Sequence, residues 1–231
     1  DCIPARALMD CAVFFNLDGT LIDHDLDYES IFQEAVEEAD IEGLEDAYED
    51  YTDRFFRYFQ KGWTFPRRQA ILDVMKERGV EDLGESDRFA ESWEDREAGE
   101  AEPLEGAVEL VEELSNSHPL GIVTNGTGRL QRMKLEKAGI EELFDSVLIS
   151  SELGVSKPNA EFFERAREEV EAEEHVIVSN ELRRDILPAK REEFLTVWVS
   201  EEEGNAQVEQ LVDRRVESLE EVPGAVEELC G

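Results

Sequence analysis

Asn16 and Asp18 stand two residues apart where the apolar run Ala12-Val-Phe-Phe15 ends, and the period-two alternation of a strand turns both side chains into one site. Gly19 lets the backbone turn tightly after them, Thr20 brings a hydroxyl, and Leu21 and Ile22 return to apolar character. Further along, Thr124-Asn125-Gly126 closes a second apolar run and opens a helix, an arrangement in which a hydroxyl and backbone N–H groups hold a phosphate. Lys157, followed by Pro158, supplies a cation, and Ser179, Asn180 and Asp185 follow a later run. A carboxylate, a lysine, an anion cradle and further oxygen donors suit phosphoryl chemistry. Position 16 is where such a site needs a nucleophile, and it holds a neutral amide.

Each of these residues also has a purely structural reading. Asp18 alone is a turn residue, Thr124 and Asn125 a helix cap, and Asp185 the N-cap of the helix that contains Pro188. His24, between Asp23 and Asp25, reads as solvated, while His118 and His175 flank strands and read as structural. Trp63, Phe65, Arg67 and Arg68 are candidates to face a substrate.

The elements that must carry these groups follow from hydrophobic periodicity. The runs 11–16, 120–124, 146–149, 175–178 and 195–199 are short and rich in β-branched residues, as buried parallel strands are. Helical segments at 105–115, 128–138, 159–171 and 185–193 alternate with them, which predicts a doubly wound α/β sheet. In such a sheet ligands sit beyond the carboxyl ends of the strands, where all of the residues above lie. Residues 23–99 are helical throughout and predict an inserted four-helix unit, so the α/β core comprises 9–22 and 100–231. Leu44, Tyr48, Tyr51, Phe55 and Phe59 recur at spacings of three and four and read mainly as bundle core. Thr64 and Pro66 mark one helix start, Gly79 its end, and Ser86 the cap of the next helix.

Composition narrows the partners. The 231 residues carry a net charge of -36, from 59 acidic against 23 basic side chains, and 41% are apolar. Dense apolar blocks with acidic faces predict a folded, acid-coated protein suited to a cytoplasm of very high ionic strength. No basic stripe meets nucleic acid, and no apolar run is long enough for a membrane. A protein partner is compatible with the acidic surface. Cys2, Cys11 and Cys230 have no metal-like spacing and read as free thiols of a reducing compartment. Residues 1–8, before Met9, read as an extension without function.

Four segments in order resemble the motifs of the haloacid dehalogenase-like hydrolases: Asn16-Leu-Asp-Gly-Thr20, Val123-Thr-Asn-Gly126, Ser156-Lys-Pro-Asn159 and Val178-Ser-Asn-Glu-Leu-Arg-Arg-Asp185. The helical insertion resembles the cap of the phosphoglycolate phosphatase and dehalogenase-like subgroup. The resemblance implies a Rossmann-like core, a cap that selects substrate, and a Mg²⁺-dependent phosphatase of small phosphorylated metabolites that works through an aspartyl-phosphate. It also implies Asp18 as acid and base, Thr124, Asn125, Gly126 and Lys157 as phosphate ligands, and positions 16, 18, 180 and 185 as metal ligands. Here the leading Asp of the first motif is Asn16, and Ser179-Asn180-Glu181 replaces the usual Gly-Asp-Ser. An amide nitrogen lone pair is delocalised and cannot attack, and loss of a nucleophile costs about 10⁴ to 10⁶ in rate. Two Asp-to-Asn differences predict weaker Mg²⁺ binding, with Glu181 available to compensate. The alternatives are a non-catalytic binder of a phosphometabolite or protein, a variant engineered to trap substrate, and a dehalogenase, against which Asp18 argues.

Overall fold

The computed structural model describes residues 9–61, 63, 65–80, 84–201 and 206–231. The extension 1–8, Cys2 and Thr64 lie outside the described residues. The chain runs through β1 (Met9–Phe15), four helices α1 (Tyr28–Glu38), α2 (Tyr48–Gln60), α3 (Pro66–Arg78) and α4 (Glu85–Glu100), then α5 (Ala107–Ser115), β2 (Leu120–Thr124), α6 (Gly128–Ala138) and β3 (Ser146–Ile149). It continues through α7 (Ser150–Leu153), α8 (Ala160–Glu169), β4 (Ala172–Ser179), α9 (Leu187–Arg191), β5 (Leu195–Val199), α10 (Ala206–Glu209), β6 (Arg214–Val216) and α11 (Val222–Cys230).

Among the described residues the six strands are all parallel, in the order β3-β2-β1-β4-β5-β6. Alternation along β1 explains the layers. Cys11, Val13 and Phe15 enter one apolar core with α5 and α11, while Ala12 and Phe14 enter another with Phe162, Phe163 and Phe194. Gly121 in β2 has no Cβ because one would sit 2.4 Å from the Phe14 ring. Beyond β1 the chain first builds outward to β2 and β3 and then returns to place β4 on the other side. The carboxyl ends of β1 and β4 therefore frame a topological switch point, the place where open α/β sheets bind ligands.

The four-helix insertion has its own core of Ile31, Phe32, Tyr51, Ile71, Met75, Phe89 and Trp93, each with 2% exposure or less. Burying one such aromatic or aliphatic side chain contributes about 2 kcal/mol, so this unit is held chiefly by its own apolar faces. Pro66 opens α3 and Gly79 closes it in the left-handed conformation.

Several sequence expectations require correction. Cys11 and Cys230 are not free thiols but form a disulfide that ties β1 to α11; 219 residues separate them, so only tertiary packing brings them together. Ser86 does not cap α4, which begins one residue earlier behind Gly84; Ser86 is buried inside the helix. The N-cap before α6 is Thr127, three residues after Thr124. Asp185 is not an N-cap either, because it lies within a widened helical turn at Leu182–Ile186. β6 and α11 were not anticipated, since Arg214-Arg-Val216 is an edge strand too short to show a pattern. Among the described residues no helix is long and apolar enough to cross a membrane.

Candidate active site

Asn16 follows the last residue of β1 and is 6% exposed. Its Oδ1 accepts from Lys157 Nζ at 2.9 Å, and its Nδ2 donates to the main-chain oxygen of Asp18 at 2.8 Å. A lysine ammonium can only donate and a carbonyl oxygen can only accept, so these two partners fix which end of the amide carries nitrogen. Thr20 Oγ1, 3.4 Å from Asn16 Nδ2, donates to Asn180 Oδ1 at 2.9 Å and accepts from the Asn180 N–H at 3.1 Å. This knits the loop after β1 to the loop after β4. Gly19 (φ 75°) makes the approach possible, because a Cβ there would lie 2.6 Å from Asn180 Nδ2.

Lys157 is buried and directs its three protons to Asn16 Oδ1, Val123 O and Asp185 Oδ2, at 2.9, 2.8 and 2.9 Å. Burial pulls its ammonium below the usual lysine range, and the neighbouring Asp185 carboxylate opposes that pull. Asp185 Oδ2 also accepts from Ser179 Oγ at 2.7 Å, whereas its buried Oδ1 has no donor among the described residues. Asn125 lines the cleft, but its side chain is not free. Its amide instead pairs at both ends with the Lys157 backbone, at 3.0 and 2.9 Å, and so anchors the lysine to the end of β2. The Gly126 N–H is likewise taken, by Ser150 Oγ at 3.0 Å. Thr124 Oγ1 accepts from Gln131 Nε2 at 2.6 Å, which orients its hydroxyl at the cleft wall.

Asp18 faces the same cleft but is held from the other side. Oδ1 accepts from Lys134 Nζ at 2.7 Å and Oδ2 from Gln131 Nε2 at 2.8 Å. Lys134 also donates to Glu97 Oε1 of α4 at 2.8 Å, and Glu97 Oε2 accepts from Trp93 Nε1 at 2.7 Å and from Arg67 of α3. Burial opposes ionisation of both Glu97 and Lys134. The cations Arg67 and Lys134 outweigh burial at Glu97 and lower its pKa to about 2, while Asp18 and Glu97 raise that of Lys134. Residues of the insertion thus reach the first loop of the sheet through a continuous ion network that is buried at Glu97 and Lys134 and partly exposed at Asp18.

Sequence reasoning missed Gln131, Lys134 and Glu97. A signal was present in α6, where Gln131 and Lys134 interrupt the face that carries Leu130 and Leu135. Buried polar groups on an apolar face require partners, and the partners here are Asp18 and Glu97.

The cleft has a volume of about 300 Å³ and an aromatic half formed by the insertion: Tyr48, Tyr51, Phe55, Phe56, Phe59 and Trp63 line it. The predicted stripe therefore divides. Leu44 lies in the bundle core alone, Tyr51 belongs to both core and cleft, and Tyr48, Phe55 and Phe59 line the cleft. Arg67 lies 4.8 Å from the Phe55 ring centroid and 4.7 Å from that of Trp93, and Arg184 lies 5.2 Å from Phe59. Arg68 and Phe65 are not part of the lining; Arg68 pairs with Asp87 on the surface. His24 borders the cleft while remaining exposed, and His118 and His175 bond the Cys11 and Val170 carbonyls, as structural histidines do.

A family profile described as haloacid dehalogenase-like hydrolase matches residues 13–199. Among curated proteins, the pyrimidine 5'-nucleotidase YjjG of Escherichia coli is 35% identical over 101 residues, covering 42% of this chain and 45% of the relative. The glyceraldehyde 3-phosphate phosphatase of Methanocaldococcus jannaschii is 34% identical over 113 residues, covering 48% of this chain and 50% of the relative. The matched segment therefore spans about half the length of these relatives. The crystal structure of a 2-haloacid dehalogenase from Pseudomonas syringae superposes with a TM-score of 0.75 at 18% identity, over 96% of this chain and 100% of that one, which shows a shared fold.

Proposed function

The chain belongs to the haloacid dehalogenase-like hydrolases, and from that premise we propose that its cleft receives small phosphate monoesters and that Asn16 leaves turnover impaired or absent. The observation that carries this reading is the contact of Asn16 Oδ1 with the buried Lys157 ammonium, beside Asp18 and Thr124. A carboxylate in that place would be oriented by Lys157 for attack on phosphorus; the amide is oriented in the same way but is neutral and delocalised, and so a far weaker nucleophile. Asp18 is the candidate acid for a leaving group, and Lys157 and Thr124 are the candidate phosphate ligands. The helices of residues 23–99 act as a cap whose aromatic wall contacts the organic part of the ester. Homologues of this chain carry the names of phosphatases of small phosphorylated metabolites, which supports the substrate class.

Hydrolases of this family generally use Mg²⁺. The donor set here does not fit that ion. Hard divalent cations take oxygen ligands, carboxylates above amide and main-chain carbonyls, and here the amide oxygens of Asn16 and Asn180 accept from Lys157 and Thr20 while the Asp18 carbonyl accepts from Asn16. Asp185 shares one oxygen with Lys157 and Ser179, and both Asp18 carboxylate oxygens are bound to cation or amide donors. Among the described residues, no three acidic, histidine or cysteine ligand atoms converge at the cleft.

The test compares phosphate release from an aryl phosphate by the unmodified chain and by Asn16→Asp, in molar KCl with MgCl₂. The expected result is a gain of about 10⁴-fold or more in the variant. An inactive Asn16→Asp enzyme would count against a phosphatase site, and ordinary enzyme rates in the unmodified chain would show that Asn16 is not a lesion. A non-catalytic receptor is the second reading, favoured by the same amide. The dehalogenase reading is weakened by Asp18, which is held in the cleft by Lys134 and Gln131.

A further inference from the structure

Position 16 holds an amide whose two ends face partners of opposite kind. Oδ1 meets an ammonium and Nδ2 meets a main-chain oxygen, with Asn180 Oδ1 at 3.5 Å on the same side. A carboxylate in this place would keep the first contact and turn the second into oxygen against oxygen. Something positive would then have to stand between position 16, the Asp18 carbonyl and Asn180. The amide N–H groups already fill that role. We infer that the Asn16 carboxamide takes the place of both a carboxylate and a divalent cation, so that the cleft is a metal-independent receptor for phosphate monoesters. This rests on the phosphoester reading above and adds to it how the anion is held.

Charge supports the inference. The cleft is lined by the carboxylates of Asp18, Glu97, Glu181 and Asp185 against the cations Arg67, Lys157 and Arg184, and Lys134 bridges Asp18 and Glu97 from behind. A carboxylate at position 16 would add one more negative charge beside Lys157 and would repel a phosphate dianion until a cation offset it. One atom points the other way: the buried Asp185 Oδ1 has no donor among the described residues. It belongs to a carboxylate whose other oxygen already accepts from Lys157 and Ser179.

The experiment is calorimetric titration with inorganic phosphate, and separately with MgCl₂ alone, of the unmodified chain and of Asn16→Asp in molar KCl. For the unmodified chain the phosphate Kd should change less than about threefold between EDTA and about 10 mM MgCl₂, and MgCl₂ alone should give no saturable heat. For Asn16→Asp the phosphate Kd should rise about tenfold or more in EDTA and recover with MgCl₂. Saturable sub-millimolar Mg²⁺ binding by the unmodified chain, or phosphate affinity that depends on Mg²⁺, would overturn the inference while leaving the phosphoester reading intact. Failure of both proteins to bind phosphate in every buffer would overturn that reading and the inference with it. If Asn16→Asp does not fold, the side-chain NH₂ resonances of Asn16 serve instead. They should shift with phosphate and stay unchanged with MgCl₂; the reverse pattern would sink the proposal.

Discussion

Lys157 and Asp185 form an ion pair at 2.9 Å with side-chain exposures of 1% and 0%. Removing one partner of such a pair leaves a buried charge alone, which costs about 3–5 kcal/mol, whereas replacing both by apolar groups is close to neutral. Lys157→Met should therefore lower unfolding stability by about that amount, and Lys157→Met with Asp185→Leu should recover most of it. Chemical unfolding in molar KCl measures both. Simple additivity of two losses would show that the pair is not coupled. Phosphate binding should be lost in both proteins, because neither retains the cation. Lys157 and Asp185 were visible in the sequence as separate motif residues, but their contact was not: 28 residues separate them, and the widened turn at Leu182–Ile186 aims Asp185 inward.

The buried ion pairs between the insertion and the α/β core join α3, α4 and α6 through Arg67, Glu97 and Lys134. Glu97 has a folded pKa of about 2 against an ordinary 4.5. A carboxyl group depressed in this way adds stability that is fully present above pH 4.5 and is lost as pH falls toward about 2. Glu97→Gln should cost about 3 kcal/mol near neutral pH, with the gap to the unmodified chain closing across that window. Unfolding curves at a series of pH values test this, and a gap that stays constant with pH would assign the loss to packing. The helices themselves were legible from apolar spacing. Their mutual placement was not, because charged side chains on α4 and α6 read as solvent-facing until each is seen beside its partner.

Charge governs the behaviour of the molecule as a whole. A net charge of -36 works against the compact state by self-repulsion. The ion pairs offer little compensation, since most are substantially exposed and such pairs contribute about 0–1 kcal/mol each. Raising KCl from about 0.1 M to about 2 M shortens the screening length from about 10 Å to about 2 Å, which weakens the repulsion more than it weakens these pairs. The thermal midpoint should rise by roughly 5 °C or more across that range. A midpoint that falls with salt would mean that surface pairs stabilise the fold. The disulfide between Cys11 and Cys230 acts on the same scale by joining the first strand to the last helix, and with these two cysteines paired the inference of a reducing compartment from free thiols no longer holds.

The sequence alone determined the alternation of strands and helices, the insertion after β1, and the identities of Asn16, Asp18, Thr124, Lys157, Asn180 and Asp185 at the strand ends. Local rules suffice there, because burial on both faces writes itself as apolar runs and parallel strands put their carboxyl ends together. Tertiary structure decided what those residues do to one another. It paired the Asn125 side chain with the Lys157 backbone, placed Lys134 between Asp18 and Glu97, paired Cys11 with Cys230, and set the Asn16 amide against a carbonyl on one side and an ammonium on the other. Hydrogen bonds and ion pairs between residues far apart in sequence depend on angles and distances of a few tenths of an ångström, and no pattern of residue types encodes them.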